Sequence, residues 1–167
     1  MKFSRNRAIA FAVIVPAFLL ATASCKKSNN TNIGGTMTAS LNDTAWTANY
    51  AVGGIYTQIA DQFEIVGARS SSGDTTSFYL SFSTPFSVNQ SISSDTSSLD
   101  VQYIDTKSGV FFDGGNIAGH SLLTVTTYDL TNLKIGGTFS GVLYNVVNSA
   151  DSLVITGGTF NTAFTLQ

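Results

Sequence analysis

From Thr36 to the C-terminus the chain alternates apolar and polar positions with a period of two. Met37, Ala39 and Leu41 interleave with Thr36, Thr38 and Ser40, and Phe78, Leu80 and Phe82 interleave with Ser77, Tyr79, Ser81 and Ser83. A strand sends successive side chains to opposite faces, so this pattern predicts half-buried strands. The spacing recurs at Phe63/Ile65, Leu99/Val101/Tyr103, Leu123/Val125, Phe139/Leu143, Leu153/Ile155 and Phe160/Phe164/Leu166. Turn-forming clusters separate the runs at Asn42–Thr44, Ser70–Asp74, Ser93–Ser98, Asp113–Asn116 and Asn148–Asp151. The final runs, Leu133–Val146 and Ser152–Leu166, predict a long closing hairpin, with Gly136-Gly137 and Gly157-Gly158 marking bulges or bends. The expected fold is all-β: an antiparallel β-sandwich, or alternatively a closed or partly open up-and-down β-barrel. A single domain over residues 36–167 is expected to form it.

The beginning of the chain follows another pattern. Lys2, Arg5 and Arg7 precede an apolar run from Ala8 to Ala21, interrupted by Pro16 and followed by Thr22-Ala23-Ser24-Cys25. At about 14 residues the run is shorter than the ~20 a helix needs to cross a hydrocarbon core. Basic flank, short apolar run and small residues at its end predict a helical export signal over residues 1–24. Two cleavage sites compete. Ala21-Thr22-Ala23 suits ordinary signal peptidase, and a cut before Cys25 suits a lipoprotein. Cys25 is the only cysteine, and an unpaired thiol is a liability in an oxidising compartment, which favours lipidation. Diacylglycerol and an N-acyl chain on Cys25 would then anchor the protein, several chains being needed for durable retention. Residues 25–35, polar apart from Ile33, predict a flexible tether. The expected location is the cell envelope, at the outer membrane, facing the periplasm or the cell surface.

Composition narrows the function classes. Beyond Ser24 there are five basic residues (Lys26, Lys27, Arg69, Lys107 and Lys134) against ten acidic ones, a net charge of −5. So few cations on an acidic chain cannot supply the phosphate contacts that dominate nucleic-acid affinity, and no nucleic-acid partner is expected. Charged residues make up only 11% of the chain, so its surface must be built from Ser, Thr, Asn, Gln and Gly, as suits an exported β domain.

Met37-Thr38-Ala39-Ser40-Leu41-Asn42-Asp43-Thr44-Ala45-Trp46 resembles the opening of a family of small Bacteroidota lipoproteins of unknown function. Ile135-Gly136-Gly137-Thr138-Phe139-Ser140-Gly141 and Val154-Ile155-Thr156-Gly157-Gly158-Thr159-Phe160 are similar to that family's C-terminal hairpin. The resemblance implies a β-rich lipoprotein domain and no activity or site. Lys26-Lys27 departs from the acidic run that follows the lipidated cysteine in many surface-exported lipoproteins of that phylum.

Candidate chemistry is sparse. His120 is the only histidine, too little for a metal centre of gathered His and Cys ligands, and no G-x-S-x-G nucleophile elbow accompanies it. Asp113-Gly114-Gly115-Asn116, with Asp100 and Asp105 upstream, offers oxygens for calcium but reads more simply as a hairpin turn using positive φ. Paired carboxylates could hydrolyse glycosides, yet the one glutamate, Glu64, stands among aspartates placed in turns. Asp43-Thr44-Ala45, Asp74-Thr75-Thr76 and Asp151-Ser152-Leu153 resemble short O-glycosylation acceptors of exported Bacteroidota proteins. Trp46, Tyr79 and Tyr144 are the candidate ligand-binding aromatics; Tyr79 and Tyr144 lie opposite the buried phase of their strands, and Trp46 suits a core anchor as well. No catalytic residue, metal or further cofactor is expected. The expected role is a non-enzymatic binding or structural module of the envelope, with a glycan or an envelope protein as partner. Replacing Cys25 with Ala should abolish metabolic palmitate labelling and membrane retention; unchanged labelling would remove the lipid anchor.

Overall fold

The computed structural model describes residues 34–115 and 119–167, and every regular element among them is a strand. The strands are β1 (Gly35–Leu41), β2 (Thr44–Thr47), β3 (Ala51–Thr57), β4 (Gln62–Ser71), β5 (Asp74–Ser83), β6 (Ser91–Ser93), β7 (Asp100–Asp105), β8 (Val110–Asp113), β9 (His120–Asp129), β10 (Lys134–Asn145) and β11 (Ser152–Leu166). Together they form one 11-stranded mixed sheet in the order β2-β1-β11-β3-β4-β5-β7-β8-β10-β9-β6, with β10 also paired to β11. The order folds into two layers. One contains β2, β1, β11, β10, β9 and β6; the other contains β3, β4, β5, β7 and β8. Two corners join them. The end of β11 runs parallel to β3 over Phe164–Leu166, and the end of β10 pairs with β8 through Tyr144 and Asn145. The sheet is thus a sandwich whose hydrogen bonding closes like a barrel's, antiparallel at every pairing except β11–β3.

Alternation sets the core. Phe63 and Ile65 on β4, Phe78, Leu80 and Phe82 on β5, and Val101 on β7 are fully buried, facing Met37, Leu123, Val125, Ile135 and Leu143 from the other layer. Phe63 links the layers: its ring lies 5.2 Å from Phe164 on β11 and 5.8 Å from Tyr128 on β9. Within its own layer it stacks on Tyr56 at 4.5 Å and Phe82 at 5.5 Å.

The closing hairpin forms as expected, and Gly157 explains how β11 keeps one face inward. Leu153 and Ile155 are buried from odd positions, whereas Phe160, Thr162 and Phe164 are buried from even ones. A bulge absorbs the change of phase. Gly157 adopts φ +58°, and the registers of β11 with both β10 and β1 shift beside it. That left-handed conformation costs a residue with a Cβ roughly 1–2 kcal/mol. A second bulge, opposite Gly136 and Gly137, lies in β9 at Thr126.

Other features depart from the sequence reading. Strands β2, β3, β6 and β8 are not announced by the alternation, because they are short or, in β3, broken by Gly53-Gly54. Leu166, the last residue of β11, is 45% exposed rather than part of the core. Asp113-Gly114-Gly115 is not a hairpin turn: β8 does not pair with β9, and the segment crosses between layers. Gly114 has no positive φ but packs so closely that a Cβ would come within 2.4 Å of a Leu143 methyl carbon. Asn116 lies outside the described residues. Substituting Phe63 with Ala should cost ~3–5 kcal/mol in urea unfolding, and Glu64→Ala, on the exposed face of the same strand, less than about 0.5 kcal/mol.

Candidate functional site

The inner face of the sandwich does not stay apolar to its end. On β5 the buried phase of Phe82, Leu80 and Phe78 continues into Thr76 and Asp74. Arg69 of β4 and Asp105 of β7 pair directly with Thr76, and Tyr103 pairs with Phe78, so all three share that inward face. Trp46 of β2 covers this region from the other layer. Its ring meets Phe78 edge-on at 4.9 Å and its Nε1 donates to Thr76 Oγ1 at 2.9 Å. Beyond Trp46 the layers part into an open cleft of about 440 Å³, lined by Trp46, Arg69, Asp74, Tyr103, Asp105 and Lys107, together with hydroxyls of Thr44, Ser71, Ser72 and Thr76. Three hairpins form its rim. Two of them turn through two-residue loops of positive φ, Asn42-Asp43 and Ser72-Gly73, and the third, β7–β8, turns with Gly109 at φ +68°.

The cleft's charges are not matched to one another. Among the described residues the only contact of ion-pair geometry is His120 Nδ1 to Asp95 Oδ2 at 2.6 Å, on the surface elsewhere. Neither the Arg69 nor the Lys107 side chain makes a hydrogen bond among those residues. Asp105 accepts instead from the backbone N–H groups of Lys107 and Ser108 at 3.0 and 3.2 Å. Its burial acts to raise the carboxyl, but the Ser108 hydroxyl, these N–H groups and the neighbouring Asp74 carboxyl outweigh burial and hold it below the usual carboxylate range. The Asp74 carboxyl lies against that of Asp105, and Asp74 Oδ1 is buried with no donor. Burial raises the Tyr103 phenol above its ordinary value. The cleft therefore offers the free cationic donors of Arg69 and Lys107 beside the hydroxyls of its wall, while Asp74 Oδ1 is sealed from it.

The three aromatic residues singled out in the sequence do not converge. Trp46 is 2% exposed and serves as core and cleft floor. Tyr79, 37% exposed, and the half-buried Tyr144 lie on the outer face of the sheet. They share one register row, Tyr79–Gln102–Asp113–Tyr144 across β5, β7, β8 and β10, about 14 Å apart at strand spacing. Between them lies a carboxyl pair. Burial pushes the Asp100 carboxyl up to about 6, and the Asp113 carboxylate beside it adds to the shift. Gln102 Nε2 donates to Asp100 Oδ2 at 2.5 Å, while Asp100 Oδ1 is buried without a donor. Asp113, 8% exposed, accepts from Gly115 N at 2.7 Å.

The other layer's outer face carries hydroxyls. Thr47, Thr38, Thr159, Thr138, Thr124 and Ser91 form one continuous row across β2, β1, β11, β10, β9 and β6. Hydroxyl contacts of 2.9 Å join Thr38 to Thr159, and of 3.0 Å join Ser91 to Thr124. A shallow hollow of about 380 Å³ lies over part of this row.

Glu64 is exposed on β4, away from the cleft lining. No three His, Cys, Asp or Glu side chains gather as a metal site among the described residues. Cys25 lies outside the described residues. Searched against protein-family models, curated proteins and solved structures, the chain matches none.

Sequence reasoning overlooked the cleft, although its signal was present: Arg69 continues the buried phase of Phe63 and Ile65, and Asp74 that of Phe78 and Leu80. The Asp100 pair has a pH signature. The folded state binds its proton more tightly than the unfolded chain, so its contribution is complete below about pH 4 and is lost as pH rises through about 6. Asp100→Asn should flatten that slope and raise stability at pH 7.5, where Asn can donate to Asp113. The gain is on the order of 1–2 kcal/mol after discounting for the group's partial exposure, as read by urea unfolding at pH 5 and 7.5.

Proposed function

We propose that the chain is a non-enzymatic, membrane-anchored lipoprotein of the cell envelope whose β domain binds a saccharide in the cleft at the end of the sandwich. The observation that carries this reading is the cleft's lining. Positions that alternation assigns to the core are occupied there by Arg69, Asp74, Thr76 and Asp105 around an open space. Keeping unpaired polar groups on an inward face costs free energy, so a ligand that completes their hydrogen bonds is the economical explanation. A saccharide both donates and accepts, matching a lining that mixes donors and acceptors, and the volume falls in the small-ligand range. The lipidated Cys25 and its tether, together with the likeness to small Bacteroidota lipoproteins, supply the address.

A partner-protein role by strand addition is less well supported. The free edges of the sheet are β2 and β6, of four and three residues, and such short edges offer little to pair with. The register row of Tyr79 and Tyr144 favours a second reading, in which a glycan lies across the outer face instead. Trp46 is the only tryptophan, so its fluorescence reports on the cleft directly. Titrating the full-length chain in detergent with a panel of mono- and disaccharides should give a saturable change in emission. Asp74→Ala should weaken that binding about ten-fold, while Tyr79→Ala and Tyr144→Ala leave it unchanged. The reverse pattern would move the site to the outer face, and no response to any saccharide would end the proposal.

A further inference from the structure

We infer that the saccharide taken by the cleft carries a carboxylate, as a uronic acid does, held by Arg69 and Lys107 while the hydroxyls of the wall meet the sugar ring. This rests on the cleft being the saccharide site proposed above.

The first ground is where the cations stand. Among the described residues the basic side chains are Arg69, Lys107 and Lys134, and two of these three line one cleft. The same stretch holds all ten acidic residues of the chain. A domain with this balance repels anions over most of its surface, whereas at this concavity two cations offset the two carboxyl groups of Asp74 and Asp105.

The second ground is that neither cation is neutralised. Arg69 is half-buried on the inward face, opposite Thr76, where an unpaired guanidinium is costly. The nearest candidate partners do not serve it. Asp105 is occupied by the Lys107 and Ser108 N–H groups, and Asp74 sits against Asp105 with its Oδ1 buried and without a donor. The ion pairs that would close the cleft on itself are absent among the described residues.

The third ground is the ligand chemistry that satisfies both sides together. A neutral sugar meets the wall hydroxyls of Thr44, Ser71 and Ser72 but leaves two cationic side chains without an anionic acceptor. A simple inorganic anion compensates the cations but leaves the wall hydroxyls unmet. A sugar ring bearing a carboxylate does both, and its planar carboxylate matches the planar fork of a guanidinium, with the ammonium of Lys107 adding a mobile point charge. Lys107, exposed on the β7–β8 hairpin, can move onto the ligand without disturbing the core.

Calorimetric titration of the full-length chain in detergent with a methyl glucuronoside, the matching methyl glucoside and acetate tests the assignment. The glucuronoside should bind about ten-fold or more tightly than either of the others, and its advantage should shrink from low to high salt. Arg69→Gln and Lys107→Gln should each remove about ten-fold of glucuronoside affinity and narrow its margin over the glucoside, with Lys134→Gln as the neutral control. Because Lys107 lies on an exposed turn, its variant keeps the test valid even if Arg69→Gln destabilises the fold. Equal binding of glucoside and glucuronoside would overturn the carboxylate assignment and leave the saccharide cleft standing. Acetate binding as tightly as the glucuronoside would overturn the sugar portion, and no binding of either sugar would overturn the cleft reading itself.

Discussion

Strand β11 is the constraint on which the rest of the structure depends. Its 15 residues give it more pairing edge than any single neighbour uses, and three strands share it. β10 lies along one side, while β1 and then β3 divide the other. That division joins the layers, because β1 continues one layer and β3 begins the second. The arrangement works only if β11 presents apolar residues inward along its whole length. Its apolar residues change phase between Ile155 and Phe160, so an unbroken strand would turn half of them to solvent. The bulge at Gly157 reverses the phase, placing Leu153 and Ile155 in the same core as Phe160 and Phe164. One residue of positive φ thus lets a single strand serve both halves of the sandwich.

The core and the cleft are consecutive parts of one surface. From Phe82 to Asp74 the inward face of β5 passes from aromatic to hydroxyl to carboxylate over four inward positions beyond Phe82, without a change of secondary structure. Trp46 stands at the transition, its ring in the core against Phe78 and its indole N–H spent on Thr76. Side chains on paired strands of a packed sheet are held more firmly than side chains on loops, so the cleft walls are pre-organised by the same packing that stabilises the fold. The rim differs. Lys107 and Ser72 sit in hairpin turns, where the backbone can adjust at little cost to the core.

Local patterns were legible in the sequence, and non-local ones were not. The alternations at Phe63/Ile65, Phe78/Leu80/Phe82 and Leu123/Val125 placed their strands correctly, because period-two burial is a property of each segment alone. The closing hairpin and its irregularity at Gly157 were legible for the same reason, whereas the bulge beside Gly136-Gly137 lies in the partner strand β9. The parallel contact between β3 and β11 joins segments more than 100 residues apart, and no local pattern encodes it. Gly114 was misread because close approach to Leu143 and Ser121 leaves no trace in its neighbours in sequence, whereas Asp-Gly-Gly suggests a turn. Arg69 and Asp74 are the instructive case. Their phase was readable, but Arg69 entered only the net charge and Asp74 only a turn and an acceptor motif, so the inward face that opens there went unread.

The row of hydroxyls from Thr47 to Ser91 gives the molecule an asymmetry of another kind. It crosses every strand of one layer and contains no ionisable group. Contacts made by the row itself are governed by the cost of dehydrating individual hydroxyls, and neither salt nor acidity changes that cost appreciably. The cleft at the end of the sandwich holds two cations and two carboxyl groups, and whatever meets it is felt through a screened field. The domain therefore has one end whose encounters depend on the ionic strength of its surroundings and one row of hydroxyls whose contacts do not.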